Sequence, residues 1–266
     1  MTILAYKINI NGKLRTVSNH FIISMAFADL VLTIGSMPER ITRVLNDEQW
    51  IIPDTAGAVL CKLANFCEKL SMNVTVLHLA AIAIDRFIAV FHPNRKLITK
   101  SMSLKIIGTI WIVSALYCIP ILYYGAIFSK GDKQFCKVRR FFTHWKIWYI
   151  FFLILLFGIF ILIIFLYSAI TVKLSRRKTP GVMLSFRKRR IERLSVRVAK
   201  MVAVIVSVFY ICFLPYWVGW IFCSYHYNNI ICSDNFVFVS IFLCYANSSL
   251  NPVIFTFFNV NFRVGF

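Results

Sequence analysis

Long stretches of apolar residues alternate with short polar and basic segments along this chain. A helix needs roughly 20 predominantly apolar residues to cross the hydrocarbon core of a bilayer. The stretch Phe151–Tyr167 carries no charged residue, which a helix facing water could not tolerate. Six segments are long enough, and the pattern predicts that they are membrane-spanning helices: 20–41, 59–90, 103–124, 145–172, 196–223 and 236–258.

The beginning of the chain, Met1–Ile10, is also apolar, but it provides only about half of a crossing before the polar segment Asn11–Arg15. We therefore expect a partial helix there. A secretory signal peptide is not indicated, because the stretch lacks a basic start, a longer apolar run and a small-residue cleavage site.

The composition agrees with a membrane protein. Hydrophobic residues make up 59% of the 266 residues, against roughly 45–50% in soluble chains, and the mean hydropathy is +0.74. Glycine (10) and proline (7) are too few for a disordered or collagen-like chain. The composition therefore argues against a soluble globular protein.

In a soluble protein a net charge of +20 would suggest binding to nucleic acid. In a membrane protein the distribution of the basic residues instead predicts how the chain is oriented across the bilayer. Twenty of the 30 basic residues lie on one side of the predicted spans, within Lys7–Arg15, Arg86–Lys105 and Lys173–Lys200 and at Arg263. By the positive-inside rule this side is cytoplasmic. The densest run, Ser185–Arg190, is expected to contact anionic lipid or, alternatively, a protein partner. No nucleic-acid partner is predicted.

Several polar residues fall at bilayer depth, where they are costly and tend to mark function. Asp29 lies about half way along its predicted helix, where a carboxylate needs a partner or a cation. Oxygen-bearing side chains of other predicted helices could complete a site for a small hard cation such as Na⁺. These side chains are Thr75, Asn247, Ser248 and Asn251. The alternative is an ordinary hydrogen-bond cluster between helices.

Two prolines and one charged pair suggest a protein with two conformations rather than a rigid pore. Pro215 and Pro252 fall within apolar segments and predict kinks, because proline removes a backbone hydrogen bond. Asp85 and Arg86 close the cytoplasmic end of the helix that starts near Val59, where they can form an ion pair.

Motifs in the same order along the chain resemble those of the rhodopsin-like (class A) G-protein-coupled receptors. Asp85-Arg86-Phe87 resembles their DRY motif, Cys212-Phe213-Leu214-Pro215 their CWxP motif, and Asn251–Phe255 their NPxxY motif. Further matches lie in the first cytoplasmic loop and elsewhere, at Leu14–Asn19, Ala26–Leu30, Trp111 and Tyr167. The resemblance covers almost the whole chain.

The resemblance implies an all-α integral membrane bundle of seven transmembrane helices in the plasma membrane. The receptor domain would cover residues 1–258, and residues 259–266 would begin a short cytoplasmic helix. The family's first helix normally carries a Gly-Asn pair shortly before the point where this chain begins. We therefore expect that the first helix, residues 1–10, is truncated at its N-terminus.

The partners implied by the resemblance are an extracellular ligand, a heterotrimeric G protein and the lipid bilayer. No enzymatic activity is expected, and no cofactor other than an allosteric Na⁺. A truncated receptor-like protein that does not signal is the alternative. The resemblance assigns coupling and switching to one set of residues: Asp85, Arg86, Phe87, Tyr167, Phe213, Pro215, Asn251, Pro252 and Phe255.

By the same resemblance, agonist binding moves the sixth helix outward at Pro215 and opens a cleft in which Arg86 contacts the G protein. Asp85 would hold Arg86 in the inactive state. In some receptors an acid of the sixth helix also locks this arginine, but Ser195 stands at that place, with Glu192 nearly a turn earlier. Because Arg86 would then be held less firmly in the inactive state, we expect some activation of the G protein without agonist.

Two aromatic replacements depart from the family pattern. Phe213 takes the place of the usual tryptophan and keeps a ring without its N–H donor. Phe255 replaces the tyrosine of NPxxY, so no hydroxyl is available there for a water bridge to Tyr167. We expect that these replacements preserve packing; loss of signalling is the alternative.

The resemblance pairs Cys61 with Cys136 in a disulfide that tethers the second extracellular loop to the third helix. Cys223 and Cys232, nine positions apart around the last extracellular loop, are a second candidate pair. The other cysteines are expected to be small packing residues.

The expected ligand is a neuropeptide. Glu68 lies two turns inside Cys61, at the level where amine receptors of the family carry an aspartate for the ligand ammonium, while Trp50 and the charged loop Lys130–Lys146 resemble peptide receptors. We expect an Arg or an amidated C-terminus of the peptide at Glu68, although Lys69 could instead pair with neighbouring acids; a biogenic amine is the alternative ligand. The rest of the predicted wall is Asn65, Met72, Tyr216, Trp217, Trp220 and Tyr245.

Overall fold

The computed structural model describes residues 17–46, 49–92, 98–131, 133–137, 144–176, 186–225 and 231–258. The helices are α1 (Val17–Gly35), α2 (Met37–Leu45), α3 (Asp54–Phe91), α4 (Lys100–Tyr124), α5 (Trp145–Arg176), α6 (Phe186–Tyr225) and α7 (Asp234–Phe258). A hairpin of β1 (Ala126–Lys130) and β2 (Lys133–Lys137) lies between α4 and α5. The predicted all-α class is confirmed.

Several predicted features lie outside the described residues. They include the partial helix at residues 1–10 and the short helix at residues 259–266. The same holds for the side chains of residues 174–199, with Glu192 and Ser195 among them, and for those of Trp220, Pro252 and Phe255.

Five stretches of the described chain are long and apolar enough to cross a membrane: Val17–Leu45, Asp54–Phe91, Lys100–Tyr124, Lys146–Lys173 and Lys200–Cys223. They match the first five predicted spans, and the sixth predicted segment forms α7. Large apolar side chains remain exposed on α4 and α5, including Ile112, Leu116, Ile154 and Ile161. Such surfaces suit lipid, which is as apolar as these side chains.

The predicted span 20–41 contains two helices rather than one. The backbone leaves helical geometry at Ser36 (φ −124°, ψ −33°), and Pro38 lies in the first turn of α2. Proline is tolerated at that position because the first N–H groups of a helix have no partner within it. The N–H of Arg40 still donates to the Ser36 carbonyl at 3.1 Å, so α2 begins immediately after the break.

The chain forms two compact units. The first unit comprises Phe27–His78 and Lys105–Ile159, and the second comprises Met1–Ala26, Leu79–Leu104 and Phe160–Phe266. In the first unit β1 and β2 pair antiparallel, from Ala126 opposite Lys137 to Lys130 opposite Lys133. Gly131 follows β1 with a φ of +61°, a conformation that glycine adopts without steric cost.

Helices α4 and α5 are joined in the first unit by a reciprocal contact between Tyr117 and Trp148. The Tyr117 hydroxyl donates to the Trp148 carbonyl at 2.7 Å, and the Trp148 ring N–H donates to the Tyr117 carbonyl at 3.2 Å. The two rings are stacked with their centroids 4.8 Å apart. Each residue thus satisfies a polar group of the other inside an apolar segment.

Tyr117→Phe is expected to lower the free energy of unfolding by about 1 kcal/mol, because it removes one hydrogen bond and leaves the stacked ring in place. Thermal unfolding of the purified protein in detergent measures the effect. Tyr123→Phe is the matched control, because Tyr123 is exposed at the end of the same helix. An equal drop in both variants would contradict the assignment.

Packing in the second unit brings α6 close to α7. A Cβ atom placed on Gly219 would lie 2.9 Å from the ring of Phe236, so a larger residue at Gly219 would displace that ring. Pro215 lies inside α6, where the sequence predicted a kink. The aromatic rings before and after it stack along the helix, with 4.5 Å between the Phe209 and Phe213 centroids and 5.6 Å between those of Phe213 and Trp217.

Candidate functional site

Both predicted disulfides are present. Cys61 of α3 is bonded to Cys136 of β2, with Cα atoms 5.8 Å apart, and Cys223 is bonded to Cys232, with Cα atoms 5.7 Å apart. The first bond is buried against Trp50. The Trp50 backbone N–H also donates to the carbonyl of Gln134 at 2.7 Å, so the loop before α3 is attached to the hairpin.

Asn65, one of the predicted ligand-binding residues, lies one turn further along α3 beside the first disulfide. Its side-chain amide donates to the Cys61 carbonyl at 2.8 Å and contacts the Cys136 sulfur at 3.3 Å. The hairpin, the disulfide and this part of α3 therefore form one connected structure at the predicted extracellular end of the first unit.

Glu68 is buried in the first unit, where two cations contact it. The Arg40 guanidinium donates to its Oε2 at 2.7 and 3.1 Å, and the Lys69 ammonium donates to its Oε1 at 2.6 Å. Glu39 lies next to this group, 3.1 Å from Arg43 and 3.6 Å from Arg40. We refer to these five residues, Glu39, Arg40, Arg43, Glu68 and Lys69, as the outer charged cluster.

The break at Ser36 explains why α2 contributes to this cluster. Helix α2 restarts there and carries Glu39 and Arg43 four positions apart, so that they share one face, with Arg40 reaching Glu68 of α3. Sequence reasoning identified Glu68 and left open that Lys69 pairs with an acid, which it does. It missed Arg40 and Arg43, although basic residues at the end of an apolar span were an available signal.

The predicted switch residue Asp85 is buried in the second unit. Its Oδ2 accepts a hydrogen bond from the Ser18 hydroxyl of α1 at 2.8 Å and another from the Arg86 Nε at 3.1 Å. The predicted ion pair between Asp85 and Arg86 is therefore present. Sequence reasoning missed Ser18, which fixes the carboxylate from a second helix.

Apolar residues pack beside this ion pair. Val90 and Ile170 form a buried contact between α3 and α5, and the rings of Phe87, Phe91 and Tyr167 pack against them. The Tyr167 hydroxyl is buried and has no hydrogen-bond partner among the described residues. The predicted loss of a water bridge between position 255 and Tyr167 stays a prediction, because the side chain of Phe255 lies outside the described residues.

Lys173 of α5 contacts Phe91 of this apolar cluster. Its ammonium donates to the Phe91 carbonyl at 3.3 Å and lies 4.0 Å from the centroid of the Phe91 ring. The contact joins the last turn of α3 to α5 through a cation–π interaction and a backbone hydrogen bond.

The other predicted binding residues divide between the two units. Met72 is buried in the first unit. Trp217 is buried in the second unit, where Tyr216 and Tyr245 also lie, and the Trp217 ring N–H has no hydrogen-bond partner among the described side chains. A ligand-binding wall made of these residues stays a prediction.

The predicted Na⁺ ligands are divided in the same way. Asp29 and Thr75 are buried in the first unit, and the Asp29 carbonyl accepts a hydrogen bond from Thr33 at 2.8 Å. Asn247 and Asn251 are buried on α7 in the second unit, and Ser248 is half-buried between them. The Asn247 side-chain oxygen has no partner among the described residues. The Na⁺ site stays a prediction.

Comparison with known proteins yields consistent similarities. Residues 2–255 match the family described as "7 transmembrane receptor (rhodopsin family)". The chain is 26% identical to the RYamide receptor of Drosophila melanogaster over 99% of its own length and 58% of the receptor's. It is 29% identical to galanin receptor type 1 of Rattus norvegicus over 95% of the chain and 71% of that receptor.

A third relative is the tachykinin-like peptides receptor 86C of Drosophila melanogaster, which is 27% identical over 95% of the chain and 52% of its own length. The chain thus spans between about half and seven tenths of the length of these curated relatives.

Proposed function

Because the chain belongs to the rhodopsin family of seven-transmembrane receptors, we propose that it binds an extracellular peptide and activates a heterotrimeric G protein. The family consists of receptors rather than enzymes, and the chain is a multi-pass protein of the plasma membrane. The observation that carries the proposal is the match over residues 2–255, together with relatives that are named as receptors for RYamide, galanin and tachykinin-like peptides.

The environment of Glu68 supports a peptide over a biogenic amine. An amine ligand would need a carboxylate free to pair with its ammonium, whereas Arg40 and Lys69 already contact both oxygens of Glu68. Displacing either cation would leave a charge without its partner in a buried site, which is costly. A peptide can use many other contacts and does not depend on this carboxylate.

The predicted cytoplasmic end supports a coupling role for Arg86. The Asp85 carboxylate, which also accepts a hydrogen bond from Ser18, pairs with the Arg86 guanidinium, so activation requires that Arg86 leave Asp85 and become available to the G protein. We infer that α6 moves about Pro215 in the same step. A peptide and a G protein that both favour this second conformation each raise the affinity of the other.

The experiment is a G-protein activation assay on cells that express the chain at their surface, with RYamide, galanin and tachykinin-like peptides as probes and each class of Gα subunit as reporter. We expect a saturable response to at least one peptide. Arg86→Ala should abolish this response while peptide binding and surface expression persist, because Arg86 lies in the last two turns of α3 and Glu68 lies in its first half.

Peptide binding without activation of any Gα class would favour a receptor-like protein that does not signal. Neither binding nor activation at normal surface expression would contradict the whole proposal. Lys105→Gln is the matched control variant, because it also removes one positive charge, from an exposed side chain on α4.

A further inference from the structure

We propose that the outer edge of β1 binds an extended segment of the peptide ligand as an additional strand. The ligand would then be recognised through its backbone as well as through its side chains. This inference deepens the proposed function and rests on it, because it takes the ligand to be a peptide. The site lies on the hairpin of β1 and β2, at the predicted extracellular end of the first unit.

The backbone groups of the hairpin point in two directions. In an antiparallel pair, opposed residues alternate between pairs that exchange hydrogen bonds and pairs whose N–H and C=O groups point outward. The Gln134 carbonyl points outward, because it accepts a hydrogen bond from the Trp50 N–H at 2.7 Å. Its pair with Ser129 is therefore of the second kind, and so is the pair of Ile127 with Cys136 two positions along. The N–H and C=O groups of Ser129 and Ile127 thus point to the outer edge of β1.

The two edges of the hairpin differ in what contacts them. The loop before α3 reaches the β2 edge, where Trp50 donates to Gln134. On the β1 edge, the backbone groups of Ile127 and Ser129 have no hydrogen-bond partner elsewhere in the described chain. Ser129 is exposed. A row of such outward N–H and C=O groups is a template for a further strand, and strand addition is a known mode of peptide recognition.

The hairpin is held in place from two sides. Cys136 of β2 is joined to α3 by the first disulfide, and Ile127 of β1 packs against that disulfide. Strand β1 follows α4 directly after Gly125, whose N–H donates to the Ile121 carbonyl at 2.9 Å. Because this edge is fixed before binding, a ligand strand that pairs with it loses less entropy than one that pairs with an unattached segment.

The charge of the hairpin favours a ligand over a second copy of this chain. Residues 126–137 contain three lysines, Lys130, Lys133 and Lys137, and one acid, Asp132. Edge-to-edge pairing of two hairpins would bring these like charges together, which destabilises a pair of strands. A peptide segment with acidic residues would instead be attracted to them. We therefore expect an extended acidic segment of the ligand at β1.

The test measures direct binding to purified receptor in lipid nanodiscs, so it does not depend on coupling. The probes are three fluorescent pools of octapeptides with random Val and Thr at the inner positions. The first pool has glutamate at both ends, the second has the same sequences with every backbone nitrogen methylated, and the third has lysine at both ends. We expect the first pool to bind about tenfold more tightly than the second, which lacks backbone donors, and more tightly than the third.

Ser129→Pro tests whether binding takes place at the β1 edge. It removes an outward N–H and leaves the hydrogen bonds between the strands in place, and proline is tolerated on an edge strand. Affinity for the first pool should fall about tenfold. Gln134→Pro is the matched control, because it makes the same change at the opposed residue on the β2 edge and keeps the carbonyl that Trp50 uses. It should change the affinity less than about threefold.

Two further measurements support the comparison. Ser129→Ala keeps the N–H and removes the hydroxyl, so it should preserve binding if the backbone carries recognition. Thermal unfolding checks that each variant folds. If Ser129→Pro does not fold, photo-crosslinking of the first pool to the unchanged receptor decides instead, and the label is expected on residues 126–130.

Several results would overturn the inference. They are equal binding of the unmodified and methylated pools, tightest binding by the lysine pool, binding by none of the pools, an equal loss in Ser129→Pro and Gln134→Pro, and a crosslink outside the hairpin. A change in the oligomeric state of Ser129→Pro without a change in peptide binding would also overturn it, because the edge would then pair with a second copy.

The outcome is separable from that of the proposed function. If the first pool binds at the β1 edge but no Gα subunit responds to any peptide, the strand site stands and signalling fails. If RYamide, galanin or a tachykinin-like peptide activates a G protein with a potency that Ser129→Pro leaves unchanged, the receptor function stands and the strand site fails.

Discussion

A receptor in which Cys61 and Cys136 are both replaced by serine is expected to lose most of its surface expression and its peptide binding. The bond closes a sequence separation of 75 residues, for which loop entropy corresponds to about 4.5 kcal/mol of stability. That is close to the whole margin by which many proteins remain folded. The change also removes the buried surface against which Trp50 packs and a contact of Asn65.

The second disulfide provides a matched comparison. Cys223 and Cys232 close a separation of only 9 residues, so the same double replacement should cost about 2.5 kcal/mol and reduce surface expression less. Antibody labelling of intact cells and thermal inactivation of peptide binding measure both variants. An effect of the second pair equal to or larger than that of the first would contradict the argument from loop length.

Asp85→Asn is expected to raise G-protein activation in the absence of agonist about tenfold. Asparagine keeps the shape of the side chain but removes the charge that holds Arg86, at a cost to the inactive state of about 1.5 kcal/mol. A shift of that size changes the ratio of two conformations by roughly a factor of ten. Both side chains are largely buried, so solvent screens the interaction only weakly.

Ser18→Ala tests whether α1 also helps to keep Arg86 paired with Asp85. It removes the hydrogen bond from α1 to the Asp85 carboxylate and leaves the ion pair intact. Basal activity should rise in Ser18→Ala as well, but only severalfold. The double variant Asp85→Asn with Ser18→Ala should have a basal activity only slightly above that of Asp85→Asn alone, because both substitutions act on one carboxylate. Unchanged basal activity in Asp85→Asn, at equal surface expression, would show that the pair does not restrain the receptor.

The positions of the membrane spans could be predicted because a bilayer requires many consecutive apolar residues, a property that one segment displays by itself. The Asp85–Arg86 ion pair could be predicted just as readily, because its two residues are adjacent in the sequence. The Cys61–Cys136 disulfide was predicted through resemblance and not from the residues themselves, because nothing local to either cysteine specifies its partner.

The outer charged cluster could not be predicted in this way. Its central contact joins Arg40 to Glu68 across two different helices, and it depends on where α2 restarts after Ser36. The hydrophobic pattern predicts 20–41 as one continuous segment and does not show that the backbone leaves helical geometry at Ser36. Glu68 therefore looked like a carboxylate available to a ligand, although two protein cations occupy it.

The break at Ser36 also bears on how receptor selectivity can change during evolution. Helix α2 has only nine residues, and it begins after the non-helical backbone at Ser36 with Pro38 in its first turn. A substitution at Pro38 could turn α2 and carry its charges to new positions while α1 keeps its place. Two receptors with the same binding residues could then prefer different ligands because of a difference in backbone path alone.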